Sequence, residues 1–287
     1  MKAKQITIIS GKGGTGKTTI TACFTKIAKN FITADCDVDA ADMHLLLNPI
    51  VKEKFLFYSG KNYSIHHNKC ISCGKCQEIC RFDAISNDYN IDHIACESCG
   101  ACFFVCPTQA ITEEQNLAGE YYISQFNNNK NMLIHANLYI GEDNSGKLVS
   151  EVRKKARKLA EDSNSEYIII DGPPGIGCPV NAAIVGTDLA VIVTEPTLSG
   201  IHDLERILAV AKHFNIPSKV IINKYDINLK NTKEIEKICQ RNNSELLGKI
   251  KYDKLVVKSL IEGKTIIETH PNHEISNQLK TIWEKIK

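Results

Sequence analysis

One stretch near the start of the chain restricts its fold more than any other: Gly11-Lys12-Gly13-Gly14-Thr15-Gly16-Lys17-Thr18-Thr19. The apolar run Ile6-Thr7-Ile8-Ile9 precedes it, and a helix-compatible run from Lys17 to Lys29 follows. A glycine, four residues and then Gly-Lys-Thr between a strand and a helix is the pattern of a loop that wraps phosphate oxygens in backbone N–H groups. The helix N-terminus adds partial positive charge. In that arrangement Lys17 reaches the β- and γ-phosphates and the Thr18 hydroxyl ligates Mg²⁺. The plain alternative is a glycine-rich turn with incidental lysines; position, flanks and later motifs all speak against it.

The rest of the chain alternates strands and helices in a way that suits this start. Phe31 to Ala34 reads as a short strand ending in Asp35-Cys36-Asp37-Val38-Asp39. Carboxylates at the C-terminal end of a strand sit where ligands bind in open α/β sheets. Asp37 is placed to orient an attacking water and Asp35 to lie near Mg²⁺; the alternative is an acidic turn capping a helix near residues 41–47. Phe55 to Ile65 reads as a hairpin or connection. Tyr167 to Ile170 is a buried-type strand delivering Asp171, a second acidic residue suited to holding Mg²⁺ through water. In the loop that follows, Gly172-Pro173-Pro174-Gly175-Ile176-Gly177, the glycines, Gly175 among them, allow close approach to a γ-phosphate. Such a loop orders on triphosphate binding and relaxes on hydrolysis. Leu189 to Val193 is a strand, Ser199 caps a helix running to Phe214, and Val220 to Ile222 is a strand ending at Asn223, where a base would rest. Helix 231–241, strand 246–250, helix 254–262, strand 265–267 and helix 273–286 complete the alternation. In the last helix Ile275, Leu279, Ile282, Trp283 and Ile286 form one apolar face, read as packing on the sheet rather than on a membrane. Gly141 to Lys147 imitates the opening motif, but Leu148 replaces its hydroxyl and Glu142 and Asp143 repel phosphate, so it reads as a loop. Glu151 to Asp162 reads as a basic, solvated helix. The expected class is α/β, a P-loop NTPase with a mostly parallel twisted sheet flanked by helices.

Composition enters with the cysteines. The chain has 287 residues, 12 of them cysteine, and a formal net charge of +2. The charge gives no field for nucleic acid or anionic membrane. With no signal-like segment and no apolar run long enough to span a bilayer, the chain reads as a cytoplasmic protein without stable membrane insertion. There, cysteines in number point to metal rather than disulfides. Cys70, Cys73, Cys76 and Cys80 are spaced by two, two and three residues, and Cys96, Cys99, Cys102 and Cys106 repeat that spacing before Pro107. This is the two-cluster bacterial ferredoxin pattern, in which three thiolates of one run hold a [4Fe–4S] cluster and the fourth ligates the other. The first cluster takes Cys70, Cys73, Cys76 and Cys106; the second takes Cys96, Cys99, Cys102 and Cys80. Structural zinc is the competing reading. Arg81, where the second run has Pro107, sets a positive charge near a cluster. The expected domains are a discontinuous nucleotide-binding domain, 1–60 and 115–287, and an inserted α+β ferredoxin-like domain, 61–114. Cys23 and Cys36 lack ligand spacing and read as small core residues.

Taken together, Lys12-Gly-Gly-Thr-Gly-Lys17-Thr18-Thr19, Asp35-Cys-Asp37, Asp171-Gly-Pro-Pro-Gly175, Thr194-Glu-Pro-Thr-Leu-Ser-Gly200 and the Asn223 segment resemble the deviant Walker A group of MinD, ParA and the nitrogenase iron protein. With the cysteine repeat, the chain resembles the members that contain an inserted ferredoxin domain. The resemblance implies ATP and Mg²⁺ as ligands. It also implies a dimer, of like chains or with a paralogous ATPase, around two nucleotides. Lys12 then reaches the partner's nucleotide, Asp37 positions the hydrolytic water and Asn223 contacts the base, so that Lys12, Lys17 and Asp37 are the catalytic candidates. Asn223-Lys224-Tyr225-Asp226 also reads like the guanine-recognition motif of GTPases. Cys178 falls where the nitrogenase iron protein has a cluster ligand, although that protein's other ligand has no counterpart here; an inert cysteine is the alternative. The function expected is slow, partner-stimulated ATP hydrolysis that gates electron transfer through two [4Fe–4S] clusters to a redox partner. The alternatives are a cluster-assembly or maturation factor, which implies a metallocluster partner, and a positioning ATPase like MinD or ParA.

Overall fold

Nine strands of the described residues form one sheet. In the computed structural model, which describes residues 2–127, 130–142 and 144–287, these are β1 (Lys4–Ser10), β2 (Phe31–Asp35), β3 (Ile50–Ile65), β4 (Ile111–Phe126), β5 (Asn131–Leu138), β6 (Tyr167–Pro174), β7 (Leu189–Thr194), β8 (Ser218–Asn223) and β9 (Glu245–Ile250). Their order is β3-β4-β5-β2-β6-β1-β7-β8-β9. The pairs from β5 through β9 are parallel. Parallel strands require crossovers, and the crossovers cover both faces of the sheet.

The chain divides into two compact units: Met1–Phe55, Tyr121–Asn137 and Ser145–Lys287 form the first, and Leu56–Glu120 with Leu138–Asn144 the second. The first unit holds the parallel sheet. Successive side chains of β1 serve opposite faces: Ile6 and Ile8 join a core with Phe24, Ile169, Leu279 and Trp283, whereas Ile9 joins one with Val180, Ile192, Leu204 and Ile235. This period of two follows from the pleat. Trp283 anchors the first core, its ring 5.5 Å from Phe24 and 5.7 Å from Tyr167. The terminal helix, Glu274–Glu284, buries Ile275, Leu279, Ile282 and Trp283. Its apolar face is therefore spent inside the protein. No helix among the described residues is long and apolar enough to cross a membrane.

Several expectations change. Residues 55–65 are not a hairpin but part of the 16-residue strand β3. The segment 265–267 is not a strand: Ile266–Thr269 is a short helix held by a capping box, in which Glu268 accepts from the Thr265 N–H and the Thr265 side chain from the Glu268 N–H. The cap of the helix Leu198–His213 is Thr197, which accepts from the Gly200 N–H, rather than Ser199. The helix expected from Glu151 begins at Ser145 and absorbs Gly146 and Lys147, so the expected loop loses its last residues to the helix. Asp143, cited there as repelling phosphate, and Asn128 and Asn129, which fall in the polar run 127–131 that the sequence marks as a turn, lie outside the described residues. This helix is not wholly a solvated face: Val152, Arg153, Ala156 and Ala160 are buried. The Arg153 guanidinium donates to the Ala182 and Val185 carbonyls, each at 2.7 Å, and to Gln5 Oε1 at 3.0 Å. Burial lowers its pKa, but an arginine remains charged.

In the second unit the sequence repeat is also a backbone repeat. Ser72 and Ser98 have φ of 54° and 51°, Gly74 and Gly100 of 76° and 74°, Asp83 and Gln109 of 50° and 51°. Gly74 and Gly100 each precede a one-turn helix, Lys75–Ile79 and Ala101–Val105.

Candidate functional site

The ends of β1, β2 and β6 bring together residues far apart in sequence. Because β2 and β6 are in register, Asp35 lies beside Asp171, and Ile8 of β1 pairs with Asp171 on its other side. Into this corner the helix Lys17–Ile27 delivers Lys17, Thr18 and Thr21. Lys17 Nζ lies 2.9 Å from Asp171 Oδ2 and 3.5 Å from Asp37 Oδ2. The Thr18 hydroxyl donates to Asp171 Oδ2 at 2.8 Å, and the Thr21 hydroxyl to Asp171 Oδ1 at 2.7 Å.

Burial sets the electrostatics. It works against the Lys17 charge, but Asp171 and Asp37 outweigh it and raise the ammonium's pKa. Burial lifts the Asp37 carboxyl to about 6, against the pull of Lys17. Asp35 is fully buried, and that burial with the Asp171 charge holds its pKa well above the usual carboxylate range. Its oxygens accept from the Asp37 N–H at 3.1 Å and the Met43 N–H at 3.2 Å. Asp35 therefore braces the loop carrying Asp37, while its charge still acts on Lys17 and Asp171 nearby.

The phosphate loop has the room its sequence implies. Gly14 and Gly16 take φ of 79° and 88°, and a Cβ at Gly13 or Gly14 would meet nothing within 4 Å. Thr15 is buried, with its hydroxyl free of any hydrogen-bond partner among the described residues. Such a loop, with open space over Gly13 and Gly14 and an orphaned hydroxyl, fits a polyanion such as a nucleotide phosphate chain. Gly175 is also left-handed, φ 94°, with open space at its Cβ, and its N–H donates to Ser10 O at 2.9 Å.

Asn223, at the end of β8, donates from Nδ2 to Thr15 O at 2.8 Å, and a side chain at Gly16 would collide with it. Next to it lies an apolar cavity of about 210 Å³ lined by Gly14, Gly16, Thr19, Asn223, Tyr252, Val256 and Leu260 among others. Sequence reasoning missed the contribution of residues 250–260. The signal available was the stop of β9 before Lys251-Tyr252-Asp253. Asp226 accepts from the Tyr252 N–H at 2.8 Å, so it ties that loop down.

Lys12 points elsewhere. Its Nζ lies 2.7 Å from Glu195 Oε1 and within hydrogen-bond distance of the Thr197 and Ser199 hydroxyls. Lys224 joins the same carboxylate at 3.3 Å. Desolvation would raise the Glu195 pKa, but the two lysines hold it low. Cys178 is exposed and opens the helix Cys178–Ile184. Cys23, Cys36 and Cys239 are buried, and burial pushes Cys23 up to about 12.

In the second unit, two small enclosed cavities collect the eight repeat cysteines. One is lined by Cys70, Cys73, Cys76 and Cys106. The other is lined by Cys80, Cys96, Cys99 and Cys102. Each takes three cysteines from one run and the fourth from the other. The Ala110 N–H donates to Cys106 Sγ at 3.3 Å. Against the effect of burial, that bond and the Thr108 hydroxyl lower the thiol's pKa. Among the described residues no three His, Cys, Asp or Glu side chains stand close enough to share a single metal ion.

A phosphate loop and two strand-end carboxylates on a parallel sheet define a P-loop nucleotide-binding protein. Residues 6–266 match the family model of the CobQ/CobB/MinD/ParA nucleotide binding domain, and the chain belongs to that family. It is 34% identical to an uncharacterised protein of Methanocaldococcus jannaschii, over 99% of this chain and 96% of that one. It is 30% identical to the septum site-determining protein MinD of Bacillus subtilis over 47% of this chain and 52% of that one. Its fold is similar to that of MinD from Pyrococcus horikoshii, solved with Mg-ADP, with a TM-score of 0.62, 20% identity, and 99% and 96% of the two chains covered.

Proposed function

We propose that this chain is an ATPase of the MinD/ParA kind, a switch that dimerises on ATP and separates after hydrolysis. The observation that carries the proposal is the convergence of Lys17, Thr18, Asp37 and Asp171 beside an open glycine loop. Lys17 would neutralise the β- and γ-phosphates, Thr18 and Asp171 would hold Mg²⁺, and Asp37 would accept a hydrogen bond from the attacking water. Gly175 would approach the γ-phosphate, and Lys12 would leave Glu195 for the partner's nucleotide. MinD of Pyrococcus horikoshii, which shares the fold, was solved with Mg-ADP, and Asp226 is engaged by the Tyr252 N–H rather than free to read guanine; both support ATP. The relatives favour a positioning role. If it is one, the tether is not the terminal helix, whose apolar face is buried. The test is ATP hydrolysis together with light-scattering mass in Mg-ATP and Mg-ADP; a monomer in both that turns over no ATP refutes the switch.

A second reading is favoured by one observation, the crossing of the two cysteine runs about the two cavities. It proposes that Cys70, Cys73, Cys76 and Cys106 hold one [4Fe–4S] cluster and Cys80, Cys96, Cys99 and Cys102 another, and that the nucleotide switch gates one-electron transfer to a partner. When bound, the clusters would supply one-electron redox chemistry. The donor set fits: the eight side chains are all thiols, grouped four to a cavity in the crossed pattern of a two-cluster ferredoxin. Full thiolate ligation argues against a maturation factor, which needs labile ligands. Anaerobic reconstitution with iron and sulfide, followed by iron analysis and low-temperature electron paramagnetic resonance, tests it. About eight irons per chain support this reading, and a single zinc-like site refutes it.

A further inference from the structure

The repeat in the second unit allows its two halves to be compared position by position, and they differ in surface chemistry. The segments that line the cavity of Cys80, Cys96, Cys99 and Cys102 carry three exposed apolar side chains. Phe82 lines that cavity and is 42% exposed. Phe104 is 82% exposed, with its ring close to Gly100 of the same lining. Ile94 is 98% exposed and lies two residues before Cys96. The repeat-equivalent positions in the other half are Thr108, Glu78 and Asn68. There Ile71, 63% exposed, and Ile79, 42% exposed, are the large apolar side chains that stand out among the described residues.

Charge differs in the same sense. Residues 66–79, with Cys70, Cys73 and Cys76, carry Lys69 and Lys75 against Glu78 alone. Residues 80–102, with all four cysteines of the other cavity, carry Asp83, Asp88, Asp92 and Glu97 against Arg81 alone, and all four carboxylates are exposed. One cavity is thus flanked by net positive charge, the other by net negative charge and two exposed phenylalanines.

We propose that the Phe82–Ile94–Phe104 face is the docking surface for a redox partner protein with an apolar centre and a basic rim. The proposal rests on the reading of the cavities as cluster sites. An apolar centre within a charged rim is how protein interfaces divide affinity from steering. Large exposed apolar groups in a soluble unit mark such surfaces, and the acidic rim selects a cationic partner. The location also serves the chemistry: Cys99, exposed beside these residues, marks where a cluster would come nearest to a docked protein. One electron crosses there; the donor is oxidised by one and the acceptor reduced by one, and no bond is made or broken.

The test uses the reconstituted full chain and, as a probe, oxidised cytochrome c, a haem protein with a lysine-ringed haem edge. Binding is measured by calorimetry with both proteins oxidised, in wild type and in Ile94→Asn/Phe104→Gln, which gives this half the polarity of the other. Binding should be salt-sensitive and fall about tenfold in the double variant. After dithionite reduction, stopped-flow transfer to cytochrome c should slow by a similar factor, while transfer to ferricyanide and the iron content stay unchanged. Equal binding by wild type and variant, or equal loss with ferricyanide, overturns the proposal. A wild-type dimer that the double variant dissolves overturns it in favour of a second copy of the chain. If wild type takes up no iron, the cluster reading fails and this proposal with it; clusters present without a variant effect refute only the docking surface.

Discussion

The nucleotide corner and the cysteine cavities are built on opposite plans. The corner joins residues that the chain keeps far apart: Lys17 and Asp171 are 154 positions apart, and Asn223 and Thr15 are 208 apart. Only the parallel sheet brings them together. The cavities draw on two runs of one short segment, each wrapped by the same sequence of left-handed turns. The difference separates two kinds of information in a chain. A site coded by spacing carries its geometry locally. A site coded by strand order carries it in the topology.

Substitutions can break or sharpen that contrast. The largest effect is expected at Lys12. If its cation acts in trans like an arginine finger, as proposed, Lys12→Ala should lose about 10³-fold in ATP turnover. Its ion pair with Glu195 is partly solvated, so the melting temperature should barely move. Iron uptake should stay whole; loss of iron would tie the two plans together in folding. Lys17→Ala should lower turnover by about 10²-fold or more. It also strands buried Asp171, at a cost of about 3–5 kcal/mol in denaturant unfolding. A Lys17 variant of unchanged stability would contradict the buried network.

Cys106→Ser should reduce iron from about eight to about four per chain while ATP turnover is kept. Because Cys106 lies with Cys70, Cys73 and Cys76, the signal lost should match that of Cys73→Ser and not that of Cys99→Ser. A match with Cys99→Ser would mean that the runs do not cross.

The smallest effect is a pH dependence. Asp37 must be ionised to accept from water, and its carboxyl sits at about 6, above an ordinary 3.8. The free-enzyme kcat/KM should therefore be halved near pH 6 and keep falling below it. Stability runs the other way. The folded chain holds this proton more tightly than the unfolded one, so ionising Asp37 costs stability as pH rises from about 4 to about 6. A profile flat down to pH 5 would remove Asp37 from the water-positioning role.

These contrasts also explain what the sequence made legible. Gly11 to Thr19, Asp37, Asp171 and Asn223 could be picked out because each ends a strand or opens a helix in an alternating pattern. The apolar stripe of the last helix was likewise plain. Lys12's partners were not: Glu195, Thr197 and Ser199 reach it only through the order of β1 and β7. Arg153 was hidden inside a basic helix, because a run of Lys and Arg does not say which one faces inward. Ile266–Thr269 looked like a strand because its Thr265–Glu268 capping box was overlooked.

Arg153 has a mechanical consequence. It grips the Ala182 and Val185 carbonyls at the far end of the short helix that follows the Gly172–Gly177 loop, and fastens them to Gln5 of β1. The tail of the helix is thus tied to β1, while its head, exposed at Cys178, lies against Gly146 at the start of the Ser145–Asp162 helix. Arg153 acts as a rivet: one buried side chain fastens a strand and two helices, so its truncation would loosen all three together.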